Sequence, residues 1–282
     1  MAKIAIITDS TAYIPNDLVE KYPIWVAPQV LIFGDKTFED GVDIQPEEFY
    51  NRLQTESVNP STSQVTPASF NRLFSELVPL EYEILCILVS DKLSGTIDSA
   101  VQARKDFPDA KIEIVNSHTI AMALGFQTLA AARAAEEGAD LAECKSIAEK
   151  SQDHTGVVFA VATLEYLHRG GRIGGGARFL GTALNLKPIL EIRDGRVEAL
   201  ERVRTRKKSL ARLVELVEER TEGQSPIRLA TLHANAPEEA NAVLEDASKS
   251  LGAVEEIFSE VSPVVGTHAG PGVVGLAYMA GM

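Results

Sequence analysis

Unbroken apolar runs of strand length punctuate the first half of the chain, and most are followed by a polar turn and then a stretch that reads as helix. The pattern predicts strands at residues 4–7, 83–89 and 111–115, with one or two more inside 22–33. It predicts helices at 45–53, where Pro46 suits a first turn, and at 67–77, 95–107, 120–137 and 141–151. The alanine-rich 120–137 segment is helical on propensity alone. Residues 57–66 read as a polar loop. Strands alternating with helices imply a mostly parallel sheet covered on both faces.

The pattern changes near residue 154. Beyond it, strands are expected at 156–162, 227–233 and 254–258, and helices at 206–220 and 237–251. Apolar segments 188–192 and 197–203 flank Asp194-Gly195, a strong hairpin signal. The glycine-rich run 170–176 reads as a mobile connection. A hairpin with separated helices points to an α+β layer with antiparallel pairing. The chain of 282 residues is therefore read as two domains, α/β over residues 1–154 and α+β over residues 155–282. No internal repeat or low-complexity tract interrupts either.

Charge narrows the function classes. With 40 acidic against 27 basic residues the net charge is −13, which argues against a broad nucleic-acid surface or a polybasic membrane face. No apolar run is long enough to cross a bilayer, and the first ten residues lack the apolar region and cleavage site of a signal peptide. A cytoplasmic location is expected. Cys86 and Cys144 have no metal-ligand or redox spacing and read as reduced core thiols. His118, His154, His168 and His233 show no metal spacing either, and the glycine run lacks the G-K-[ST] ending of a phosphate loop. No cofactor and no metal are expected.

Four polar clusters fall on expected loops at strand or helix ends: Asp9-Ser10, Ser61-Thr62-Ser63-Gln64, Ser90 with Ser94-Gly95-Thr96, and His268-Ala269-Gly270-Pro271-Gly272. In open α/β sheets ligands collect beyond the carboxyl ends of strands, where the first and third clusters lie. Ser94-Gly95-Thr96 stands where a helix begins, with unpaired N–H groups and a positive dipole end suited to a carboxylate or phosphate. The plainer reading is a hydroxyl that caps the helix. Ser94 with His268 invites a Ser/His-dependent lipid ester hydrolase, although the sequence around Ser94 is not the G-x-S-x-G elbow and no acidic residue is marked as the orienter. Arg172, Arg202, Arg204, Arg206, Lys207 and Lys208 form a basic island, either a solvated face or an acceptor for phosphate or an acidic partner.

In order and spacing, these clusters resemble the DegV family of bacterial fatty-acid-binding proteins. The resemblance runs through Thr8-Asp9-Ser10, Thr62-Ser63-Gln64, the segment from Ser90 to Ala100, Thr163 to Ile173 with its His168-Arg169-Gly170-Gly171-Arg172, Leu186 to Leu190, and His268 to Gly272. It implies a two-domain α/β protein with a long-chain fatty acid between the domains. The carboxylate would be held by Thr62, Ser94 and His268, with backbone donors near Gly95 and Thr96. The resemblance also implies a carrier rather than an enzyme, one that presents the carboxylate to a separate ATP-dependent fatty acid kinase for acyl phosphate formation. Arg172, Arg202 and Arg206 are the expected partner contacts. Val65, Asn116, Ala269 and Gly174-Gly175-Gly176 depart from the family's common residues without removing a carboxylate contact.

Overall fold

The structure, a computed structural model, describes residues 3–56, 58–180 and 186–282. Met1 and Ala2, at the head of the first expected strand, and Ser57, at the head of the expected polar loop, lie outside the described residues. The first half contains β1 (Lys3–Asp9), α1 (Asn16–Lys21), β2 (Ile24–Ala27), β3 (Val30–Phe33), β4 (Lys36–Glu39), α2 (Pro46–Thr55) and β5 (Ser61–Ser63). It continues with α3 (Pro67–Leu77), β6 (Tyr82–Leu88), α4 (Thr96–Arg104), β7 (Ile112–Asn116), α5 (Ala121–Glu136) and α6 (Leu141–Ser151). The second half contains β8 (Thr155–Ala160), α7 (Glu165–Arg169), β9 (Lys187–Arg193), β10 (Arg196–Val203) and α8 (Arg206–Thr221). It ends with β11 (Ile227–His233), α9 (Pro237–Leu251), β12 (Glu255–Ile257), α10 (Pro263–Ala269) and β13 (Val274–Ala280).

The molecule has two domains. In the first, a parallel sheet of order β2-β1-β6-β7 is covered on one face by α3 and α4, whose Phe70, Phe74 and Ala100 join Ile7, Ile84 and Cys86 in one core. The last five residues of β1 and of β6 are all buried, which is why β6 reads as an unbroken apolar run to its end and β1 as one as far as Ile7, before Thr8 and Asp9. In the second domain, a six-stranded sheet of order β10-β9-β8-β13-β11-β12 is antiparallel except for its β11–β12 edge. Helices α8 and α9 close one face with Leu213, Val217, Val243 and Leu244.

Helix α5 lies between the two sheets, against β1 and β6 on one side and β8, β11 and β13 on the other. Eleven of its sixteen residues are buried, from Ala121 through Leu129 and then Ala131 and Ala132. A helix apolar on every side belongs in a core, and its alanines let both sheets approach. Cys86 and Cys144 are buried and free.

The structure departs from the sequence reading in several places. The expected polar loop contains β5, a strand of three polar residues recruited by antiparallel pairing of Thr62 with Leu31. The 22–33 run splits into β2 and β3, which join different sheets. Strand β13 was not anticipated, although it lies between β8 and β11. Its glycine and alanines carry little strand propensity, and Gly275 is required because a Cβ there would lie 2.5 Å from the Val158 carbonyl oxygen. Helices α1, α7 and α10 and strand β4 are also additions.

Candidate functional site

Strands β1 and β6 are neighbours at the point where the order β2-β1-β6-β7 reverses direction, the place where an open parallel sheet leaves a crevice. Asp9 ends β1 there, and the segment Val89–Gly95 leaves β6 there. Within that segment the amides of Leu93 and Ser94 both donate to the Ser90 carbonyl, at 3.0 and 3.1 Å. The second domain grips the same loop twice. Ser90 Oγ donates to the Gly195 carbonyl at 2.8 Å, in the β9–β10 turn, and Arg172 Nε donates to the Leu93 carbonyl at 3.2 Å. Ser94 and Thr96 do not cap α4: the N-cap is Gly95, which offers no side chain. The Ser94 hydroxyl instead lies 2.9 Å from Thr96 Oγ1, which is fully buried behind it.

Thr62 and His268 face this loop from elsewhere. Thr62 Oγ1 lies 2.8 Å from His268 Nε2, across 206 residues of sequence. His268 was expected on a loop and lies in the last turn of α10. That helix is capped by Ser262, whose hydroxyl accepts from the Val265 amide, and by the buried Asp40 carboxylate, which accepts from the Val264 amide at 3.1 Å and from Ser10 Oγ at 2.6 Å. Burial pushes the Asp40 carboxyl up to about 6, against the pull of these hydrogen bonds and with a contribution from the Asp9 charge. Burial, helped by the Arg172 charge, pushes His268 down to about 4, so the imidazole is neutral at physiological pH.

Gly170 lets the chain pass over the imidazole, since a Cβ there would lie 2.1 Å from His268 Nδ1. Within the segment read as a mobile connection, Gly174 is packed against the Val197 carbonyl and Gly175 against the Glu198 carboxylate, while a Cβ at Gly171 would meet nothing within 4 Å.

These groups open onto a cavity between the two domains. Thr62, Ser94, Arg172 and His268 line one region of it, together with Gln29 and Gln64. Val157 and Phe159 of β8, Leu232 of β11, and Val261, Val264 and Val273 supply carbon walls. Most of the lining is carbon, interrupted by a few polar side chains, Thr62, Ser94 and His268 among them, which is the make-up of a small-molecule site.

The arrangement that acyl transfer from a Ser/His pair needs is not formed. Ser94 is bonded to Thr96, His268 is bonded to Thr62, and the buried His268 Nδ1 has no hydrogen-bond partner among the described residues, so no carboxylate orients the ring. Among the described residues no three His, Cys, Asp or Glu side chains are placed to share a metal ion.

The three arginines expected to act together have different local partners. Arg172 lies at the cavity, its NH1 donating to the Gly170 carbonyl at 2.7 Å. Arg202 is exposed and stacks on the Phe179 ring at 5.0 Å. Arg206 is half-buried in a bidentate pair with Glu239, the shortest contact being 2.6 Å. Gln29 and Asp40 were not singled out from sequence. The signal for Gln29 is a lone amide between Ala27-Pro28 and Val30-Leu31-Ile32-Phe33, an apolar run with no other polar residue.

The family model described as "Uncharacterised protein, DegV family" matches residues 3–281. A DegV domain-containing protein of Streptomyces coelicolor is 38% identical over 275 residues, covering 97% of each chain. A Thermus thermophilus DegV family structure described by its fatty acid binding superposes with a TM-score of 0.94 at 33% identity, covering 99% of this chain and 100% of that one. The structure of DegV from Bacillus subtilis, described as a fatty acid binding protein, gives a TM-score of 0.90 at 32% identity, covering 99% and 100%.

Proposed function

The chain belongs to the DegV family, and on that premise we propose that it carries one long-chain fatty acid in the cavity between domains 1–154 and 155–282 and presents the carboxylate to a separate ATP-dependent fatty acid kinase. The observation that carries this reading is the one-sided polarity of the cavity: hydroxyls and a neutral imidazole converge in one region and carbon lines the rest. Burial of a methylene contributes about 0.8 kcal/mol, so the tail dominates affinity. Thr62, Ser94 and the neutral His268 orient the head, with the backbone N–H groups at Gly95 and Thr96 as further donors. Neutral donors leave a carboxylate oxygen free to attack a phosphoryl group.

In this reading the kinase docks from the cytoplasm onto the face carrying Arg172, Arg202 and Arg206. Arg202 is exposed, and Arg172 stands where the loop of Ser94 meets the second domain. Among the described residues no helix is long and apolar enough to cross a membrane. Mass spectrometry of an organic extract of freshly purified protein tests the carrier role. One long-chain acid per chain is expected, and delipidated protein that takes up no acyl chain in a titration rules it out. Arg→Ala variants then separate the roles. Intact acyl binding with lost kinase-dependent acyl phosphate formation supports docking, and lost acyl binding with intact docking overturns it.

A further inference from the structure

Ser94 can hold a carboxylate only if its hydroxyl proton points into the cavity, and its neighbour Thr96 competes for that proton. We infer that Gln29 is a positioning residue that sets the direction of a buried hydrogen-bond chain, Gln29 to Thr96 to Ser94, so that the Ser94 proton is left for the bound acid. The inference rests on the fatty-acid reading and concerns the same cavity.

The direction follows from counting donors. Gln29 is 2% exposed, and its Nε2 lies 3.2 Å from Asp9 Oδ1 and 2.9 Å from Thr96 Oγ1. Asp9 is fully buried; its Oδ1 accepts from the Thr11 amide at 3.0 Å and its Oδ2 from the Val89 amide at 2.7 Å. With both oxygens held as acceptors, the Gln29 amide must present its NH2 group to Asp9, because its carbonyl oxygen would face a carboxylate oxygen. The second N–H of that group then reaches Thr96 Oγ1. Having accepted there, Thr96 has one proton, and its other partner is Ser94 Oγ at 2.9 Å. Placing that buried proton requires Ser94 to accept from Thr96, which leaves the Ser94 proton for the cavity that Ser94 lines.

The backbone of Gln29 is fixed as well. Its amide donates to Ser10 Oγ at 3.0 Å and its carbonyl accepts from the Asp40 amide at 2.9 Å. Without the Gln29 amide the Thr96–Ser94 pair is free to reverse, and Ser94 would then turn lone pairs toward a negative head.

The test compares two lipids of equal tail on delipidated full-length protein: palmitate, which needs a proton from Ser94, and hexadecanol, whose own hydroxyl can donate to a reversed Ser94. Gln29→Met removes the amide that fixes the direction of the pair while keeping its bulk, and Thr96→Val removes the hydroxyl that competes for the Ser94 proton. Palmitate affinity is expected to fall about tenfold in Gln29→Met while hexadecanol affinity stays within about twofold, and adding Thr96→Val to Gln29→Met is expected to restore palmitate binding. Equal loss of both lipids, or unchanged palmitate affinity, overturns the relay and leaves the carrier role standing. A wild-type protein that binds neither lipid removes the carrier role and the relay with it. If Gln29→Met does not fold, Gln29→Leu is read in the same way, and an about tenfold fall of palmitate affinity in Thr96→Val alone overturns the relay.

Discussion

In one region of the cavity, Thr62, Ser94 and His268 are held by hydrogen bonds to groups that are themselves held, back to the buried carboxylates of Asp9 and Asp40. Along the walls, Val157, Phe159, Leu232 and Val273 present only carbon. The polar region is stiff, because a buried hydrogen-bond network has few alternative arrangements and leaves costly orphans when it shifts. The walls are permissive, because burial of apolar area is non-directional and scales with the area covered. A cavity built this way fixes where a ligand's head lies and grades its tail by length.

The largest effect should come from the tail. Shortening a saturated acid by eight methylenes removes roughly 6 kcal/mol of gross burial, enough to abolish binding at micromolar protein. A calorimetric series from long to short acids checks this, and an affinity indifferent to length would show that the carbon walls do not hold the ligand. The head should matter less. Thr62→Val and Ser94→Ala each remove a hydrogen bond to a charged group, at about 1.5–3 kcal/mol. The same variants should leave the affinity for a fatty acid methyl ester closer to wild type. A variant that weakens acid and ester alike would show that the hydroxyls support the fold and not the head.

The two regions were also unequally legible in the sequence. The carbon walls follow from strand patterning: β8 and β11 read as apolar runs, and the parallel core of β1 and β6 was evident because buried-both-sides strands leave no alternation. Thr62, Ser94 and His268 stood out as polar residues in marked clusters, yet their meeting depends on α10 folding back across the domains to put His268 on β5, a contact that no local pattern encodes. Gln29 and Asp40 were missed because a single buried polar residue has no periodicity. Only its partners reveal it, and Asp40 finds one of them 224 residues away. Strand β13 was missed for a related reason, since its Gly and Ala residues answer the closeness of neighbours rather than strand propensity.

A second histidine sharpens the contrast at the smallest scale. His233 ends β11 away from the cavity lining, 1% exposed, its ring against Phe258 at 5.1 Å and both ring nitrogens without a hydrogen-bond partner among the described residues. Burial pushes it down to about 4, close to His268, so both rings are neutral in the fold while the unfolded chain takes up protons below about 6.5. The unfolded state then binds more protons as pH falls, and stability is lost between about 6.5 and 4. Asp40 works in the opposite sense: raised to about 6, it takes up its proton in the fold first, and its contribution grows as pH falls from about 6 toward 3.8. Replacing His233 with Phe removes one of the two destabilising titrations together with a buried unpaired polar ring. The His233→Phe protein should be more stable by about 1 kcal/mol at neutral pH, and by more at pH 5, with fatty acid affinity unchanged. Melting curves across pH 4–7 with a parallel binding titration check this. An acid limb as steep as wild type would show that His233 does not titrate with unfolding. A loss of acyl affinity would show that the end of β11 is coupled to the head group after all, and the division between a stiff head and a permissive wall would have to be redrawn to include it.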